Sequence, residues 1–334
     1  LVTVGDEWLC SCTNLTALDF TGLKQLERVG KSWLSYCSSL TALKCSGLSQ
    51  LASIGEQWLH ECTSLTALDL TGLTRLAAVG CYWLCGCRSL KVVNTAGLEQ
   101  VTTVGLGWLS GCSSLTELDC MGLTRLACVG SYWLRRCTSL TALDCTGLTQ
   151  LTDVGSYWLS YCSKVTTLDY TGLTKLAVVW DEWMFKCTSL TSLKLSGLSQ
   201  LTKVGDHWLS CCISLTALDC TGLSHLAIVG KSWLSGCSKL AALDCTGLTQ
   251  LATVGESWLS GCTSLTALDC PGLNRLLTLG KFRKERVAMS VRKRIGQAMR
   301  HRQRRRPLLS DVKAFLTQKD QGCVSNASTE SDGS

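Results

Sequence analysis

The residue types able to do chemistry are abundant here, and their spacing decides which chemistry. The 334 residues include 23 cysteines, of which eleven stand one every 25 residues from Cys12 to Cys262. A second column at 45, 120, 145, 220, 245 and 270 takes six more, in places that Phe20, Leu70, Tyr170 and Leu195 fill in other units. A metal ion needs ligands that converge on one point, whereas one thiol per unit makes a line. A cysteine that exchanges with Leu and Phe acts as a buried apolar residue. One unit differs, with Cys81, Cys85 and Cys87, where a four-residue step on a helix sets two thiols on one face. That trio stands as a candidate metal or redox group beside the packing reading. Free thiols in such number point to a reducing, intracellular location, cytoplasmic or nuclear.

Catalytic patterns are not found. His60, His207, His225 and His301 occupy unrelated places, and HExxH does not occur. Gly30-Lys31-Ser32 and Gly230-Lys231-Ser232 imitate the end of a phosphate loop, but the glycine due five residues earlier is Gln25 or His225. The D-x-T-G turns are not the contiguous D-T-G of an aspartic protease. The reading is a non-enzymatic protein with no catalytic residue, metal or cofactor.

What positions these residues is a repeat of 25 without insertion. Glycine holds one column from Gly5 to Gly280, broken only by Trp180, and tryptophan another from Trp8 to Trp258. In the unit from Leu140, LTALDCTGLTQLTDVGSYWLSYCSK, the residues Leu140, Leu143 and Cys145 suit a short strand with an inward face. A glycine follows at the eighth place in every unit, Gly22 to Gly272, where the chain must turn. Leu148, Leu151 and Val154 continue the core, and Trp158, Leu159 and Cys162 fall at helical spacing, predicting one or two helical turns back to the next strand. One such unit cannot bury its apolar face alone, so the units stack into an α/β solenoid. The tryptophans read as a packing spine, with sugar platforms as the alternative.

The pattern LxxLxLxx with a return segment LxxVGxxWLxxCxSL over residues 1–280 resembles the leucine-rich repeat, and within it the BspA-like subclass of microbial and protozoan proteins. It departs in its 25-residue unit where 23 is usual, its missing asparagine and its Trp for Phe. The resemblance implies a curved leucine-rich-repeat solenoid with a parallel β-sheet on its concave face, and protein binding as the function.

The fifth place of each unit points outward on that sheet. It holds aspartate eight times in eleven, at Asp19, Asp69, Asp119, Asp144, Asp169, Asp219, Asp244 and Asp269, with Lys44, Asn94 and Lys194 as the rest. Carboxylates about 5 Å apart repel by about 0.8 kcal/mol even in water. Two accounts offset this. The carboxylate accepts from the threonine hydroxyl or turn amides two residues on, or the stripe receives a cationic protein partner. A second candidate surface is aromatic: Tyr132, Tyr157 and Tyr161 on the return segment, with Trp180 breaking the pattern beside them.

Charge divides the chain. Residues 1–280 hold 18 Lys+Arg against 20 Asp+Glu, and residues 281–334 hold 14 against 5. The domains are therefore a solenoid over 1–280, a basic helical segment over 281–319 and a disordered end over 320–334. Val287, Val291, Ile295 and Met299 stripe the basic segment at helical spacing, and C-terminal helices there cap the stack. Arg292 and Lys293, then Arg304, Arg305 and Arg306, resemble a bipartite nuclear-import signal. The same segment suits localisation, autoinhibition by folding onto the aspartate stripe, or binding of nucleic acid or anionic membrane as a nuclear or membrane-surface adaptor. Stacking aromatics of single-strand binders are missing from it. No apolar run reaches the roughly 18 residues of a membrane span, and the start without Met, in mid-pattern, reads as a fragment.

Overall fold

A computed structural model of the chain describes residues 1–271 and the strand Thr278–Leu279. Two kinds of strand alternate. Three-residue strands recur every 25 residues from Ala17–Asp19 to Ala267–Asp269, and two-residue strands from Thr3–Val4 to Thr278–Leu279. Every pairing is parallel and joins residues 25 apart, such as Leu118 with Leu143 and Val129 with Val154. Each unit is thus one coil, and the molecule is two parallel ladders linked by turns. The two-residue strands form sheets of three and nine strands, and the three-residue strands pair in blocks of two, two, four and three.

The strands follow from the alternation of the sequence. In Ala142–Asp144 the leucine is buried while Ala142 and Asp144 are exposed, because successive side chains leave a strand on opposite faces. Leu140, Leu143, Cys145, Leu148, Leu151 and Val154 all lie in the core, as their spacing predicts. The tryptophans of the 25-residue column from Trp33 to Trp258 are buried at its centre, with successive rings such as Trp158 and Trp183 stacked at 5.5 Å and 3°. One ring breaks the stack. Trp83 stands at 65° to Trp58, and its indole N–H donates to the Gly55 carbonyl at 3.0 Å.

The return segment corrects the α/β expectation, because no α-helix occurs among the described residues. Left-handed residues occur at every second position instead: Tyr157, Leu159 and Tyr161 have φ of 68, 56 and 64°. The same three places are left-handed in other coils, and glycine takes them at Gly86, Gly107, Gly111, Gly236 and Gly261. A left-handed non-glycine residue costs about 1–2 kcal/mol. Here each such amide bonds to a neighbouring coil: Tyr157 N–H to Asp181 O at 2.7 Å, Leu159 N–H to Trp133 O at 3.1 Å, Tyr161 N–H to Phe185 O at 2.7 Å. A helix would turn these donors inward to its own chain. The stack claims them, and Trp158, Leu159 and Cys162 reach the core without a helix. The expected C-terminal helices, the cap over 281–319 and the disordered end lie outside the described residues.

Glycine at the eighth place answers to crowding between coils. A Cβ on Gly97 would stand 2.0 Å from the Leu70 carbonyl oxygen, and one on Gly47 2.2 Å from that of Phe20. In the other glycine column, Gly155 and Gly205 donate to the coil before at 2.8 and 2.9 Å, while Trp180 donates to Val154 at 3.3 Å. The lengthening is confined to that bond, since Ala177 N–H to Thr152 O and Tyr157 N–H to Asp181 O join the same two coils at 2.9 and 2.7 Å.

Candidate functional site

The three-residue strands set a row of carboxylates on one face. Asp119 pairs in register with Asp144, Asp144 with Asp169, Asp219 with Asp244 and Asp244 with Asp269. One oxygen of each is used locally. The amide two residues on donates to it at 2.9 Å in Asp19, 3.1 Å in Asp69, 3.0 Å in Asp169 and 2.8 Å in Asp119, Asp144, Asp219 and Asp244. Thr146 and Thr246 add their hydroxyls at 2.7 Å to Asp144 and Asp244. Asn94 makes the same turn with Ala96 at 3.1 Å. Asp269 differs because Pro271 has no N–H to give.

At Asp19, Asp169 and Asp244 the turn also favours the charged carboxylate. The Thr246 hydroxyl and amide pull the Asp244 carboxyl below its usual range, and Thr21 does the same for Asp19, assisted by Lys44. The Lys194 ammonium, 2.8 Å from Asp169, and the Thr171 amide hold Asp169 at about 2. Lys44 approaches Asp19 at 3.3 Å. The two lysines of the column thus sit against aspartates, whereas Asp119, Asp144, Asp219 and Asp244 each use one oxygen in the turn and keep the other outside it.

Sequence reasoning missed two side chains on this face. Val92 and Met121 are 48% and 57% exposed, in places that alanine and threonine fill in most coils. Their departure from the column was the signal that would have found them. Among the outward positions they are the large apolar ones, set amid Asp69, Asn94 and Asp119.

The aromatic candidates separate. Tyr132 and Tyr157 stack at 4.8 Å and 15°, and the Arg135 guanidinium lies 5.6, 5.4 and 5.5 Å from the rings of Tyr132, Tyr157 and Tyr161. Trp180 is engaged on other partners. Its indole donates to Asp153 at 3.0 Å, and the Lys203 ammonium lies 4.5 Å above its ring. The tail candidates Arg292, Lys293, Arg304, Arg305 and Arg306 lie outside the described residues.

The cysteine trio has no helical face to share. Cys87 is buried, Cys81 and Cys85 are half-buried, and burial pushes the Cys85 thiol up to about 11, with Glu61 adding to it. No group of three or more His, Cys, Asp and Glu able to hold a metal occurs among the described residues. The column that exchanges with Leu is buried from Cys45 to Cys245, as that exchange implies, and the invariant column, buried from Cys37 to Cys262, also donates. Each thiol from Cys37 to Cys262 points at the carbonyl of a left-handed residue one coil back, as Cys162 does to Leu134 at 3.1 Å. No helix of the described residues is long and apolar enough to cross a membrane.

Two parallel ladders of 25-residue coils with a leucine, tryptophan and cysteine core define a leucine-rich-repeat solenoid. The family model of the BspA-type leucine-rich repeat region matches residues 1–116, 78–195, 124–241 and 174–285, and the chain belongs to that family. No curated protein matches it. Among solved structures it is similar to a leucine-rich cell surface protein of Faecalibacterium prausnitzii, at 17% identity and TM-score 0.40, over 81% of this chain and 77% of that one. A Bacteroides ovatus leucine-rich-repeat protein shares 18% identity at TM-score 0.35 over 85% and 88%. The functional domain of InlJ from Listeria monocytogenes, which includes a cysteine ladder, shares 21% at TM-score 0.31 over 81% and 63%.

Proposed function

We propose that this protein is a non-enzymatic scaffold that binds a basic protein segment across its aspartate face. The observation that supports this reading is the division of labour in Asp119, Asp144, Asp219 and Asp244: one oxygen closes the turn and the other is free to take a cation, with neighbours at the strand spacing of about 4.8 Å. Val92 and Met121 add exposed apolar surface to this face, Met being a residue enriched at interfaces. Residues 281–306, with 12 basic residues and one acidic, have matching chemistry. In this reading they localise the protein or compete for the face as its own regulator. The thiol-rich core suits a reducing, intracellular setting.

Asparagine keeps the turn, as Asn94 does, and removes the charge. The test is therefore the full chain with Asp119→Asn, Asp144→Asn and Asp219→Asn, titrated with a labelled oligolysine peptide. Affinity is expected to fall about tenfold. Equal affinity would reject the aspartate face. The charge of the basic segment favours a second reading, an adaptor whose tail binds polyanions at the nucleus or a membrane surface. Removal of residues 281–334 separates the two: partners kept and location lost supports the scaffold.

A further inference from the structure

The return segments carry a surface of opposite sign. Three cations surround one ring there: the charged ends of Arg135, Arg136 and Lys186 lie 5.5, 5.7 and 5.2 Å from the centroid of Tyr161. Like charges so placed repel. Among the described residues none of the three is in an ion pair, and Glu182, whose charge reaches Tyr157 and Arg135, is in none either. Arg135 Nε is buried without a hydrogen-bond partner. Rings hold the guanidinium in place, with Tyr132, Tyr157 and Tyr161 all within 6 Å of it. Cation–π contact satisfies the flat face of a guanidinium and leaves its N–H edge to donate.

The residues are local to three successive coils. Elsewhere the places of Tyr132, Arg135 and Arg136 are mostly Ser, Gly and Gln, so the fold itself does not require them. Their chemistry also selects among ligands. Tyr132 and Tyr157 spend their faces on each other at 4.8 Å, and Tyr161 meets Phe185 edge-on at 5.4 Å. These rings are engaged with one another and with the cations. What the cluster offers is hydrogen-bond donors with positive charge against a low-dielectric wall.

We propose that this cluster is a second binding surface, for an acidic protein segment whose carboxylates take the donors of Arg135, Arg136 and Lys186 around Tyr161. It is independent of the aspartate face, which takes the opposite charge.

The experiment titrates the full chain with fluorescein-labelled hexaglutamate at about 0.15 M salt, where exposed charges are screened beyond about 8 Å. Three proteins are compared: the wild type, R136E/K186E, and R304Q/R305Q/R306Q in the tail. Glu61 occupies the place of Arg136 and Lys186 in another coil at φ 53°, so the backbone accepts glutamate there. The expected result is a Kd raised about tenfold or more in R136E/K186E, with the tail variant close to wild type. Equal binding by wild type and R136E/K186E overturns the proposal. So does binding lost only in the tail variant, or a wild type that takes heparin at this cluster but not hexaglutamate. The Asp→Asn variants of the aspartate face should leave hexaglutamate binding unweakened, which keeps the two surfaces separable.

Discussion

The Cys162 thiol donates to the Leu134 carbonyl across 3.1 Å, and Leu134 is itself left-handed, at φ 55°. That carbonyl receives only a long 3.3 Å bond from Cys137 N–H within its own coil. The next coil completes it. The cysteine column therefore has a polar task that its exchange statistics do not reveal, since the column that tolerates Leu and Phe is the other one.

Cys162→Val tests this task, because valine fills a similar volume and cannot donate. A volume-conserving apolar swap is tolerated well where packing is the whole role. Loss of about 0.5–1.5 kcal/mol in urea unfolding is expected from the missing hydrogen bond. A neutral substitution would return the cysteine to simple packing.

At Asp144 the turn and the charge can be separated. Asp144→Asn should leave stability within about 0.5 kcal/mol, since asparagine accepts the same amide. Asp144→Ala loses bonds from both the Thr146 amide and hydroxyl, and is expected to cost about 1 kcal/mol or more by thermal unfolding.

Asp169 gives the pH dependence. Its carboxyl titrates at about 2 in the fold, against an ordinary value of 3.8, chiefly through Lys194. A depressed carboxylate contributes stability that is complete above the ordinary value and is lost as pH falls toward 2. In Lys194→Ala the Asp169 carboxyl resonance should titrate closer to 3.8 by NMR, and the acid edge of stability should be less steep. An unchanged titration would show that the Thr171 amide alone sets it.

Trp180→Gly restores the glycine column at the one long bond, 3.3 Å to Val154. It also removes the indole donor from half-buried Asp153, whose carboxyl burial already pushes up. A raised carboxyl stabilises the fold at low pH, and this contribution is lost as pH rises through the ordinary range to the folded value. The variant should therefore lose more stability at neutral pH than at about pH 4, by about 0.5–1.5 kcal/mol for the missing bond. Denaturation at the two pH values checks the difference.

Gly97→Ala places a methyl against the Leu70 carbonyl, 2.0 Å from the Cβ position. The coils must part, at a cost of about 1–3 kcal/mol. Differential scanning calorimetry measures it.

Much of this architecture is legible in the spacing of residues. The columns of Leu140, Leu143 and Leu148, the inward Trp158 and Cys162 and the outward Asp144 all stand where the 25-residue period sets them. The return segment was misread because Trp158, Leu159 and Cys162 satisfy helical spacing and an alternating left-handed path equally well. The distinguishing mark is small: glycine at Gly86, Gly107 and Gly111, in places that Ser, Tyr, Glu, Arg and other residues hold in other coils. Trp180 was grouped with the tyrosines by its neighbourhood in sequence, and Asp153 and Lys203, each 25 or so residues away, decide its place. Arg135 went unnoticed because its importance lies in three rings from two coils, which no linear pattern displays.

The alternation of Gln50, Arg75, Gln100, Arg125, Gln150 and Lys175 has a structural counterpart. Arg75 donates to Gln50, Arg125 to Gln100 and Lys175 to Gln150, each at 2.6 Å. Coils are therefore buttoned in twos along this edge. Between Gln50 and Lys175, loss of fifty residues would keep this pairing, whereas loss of twenty-five would set cation beside cation or amide beside amide, as Gln25 and Gln50 already stand at the start of the column.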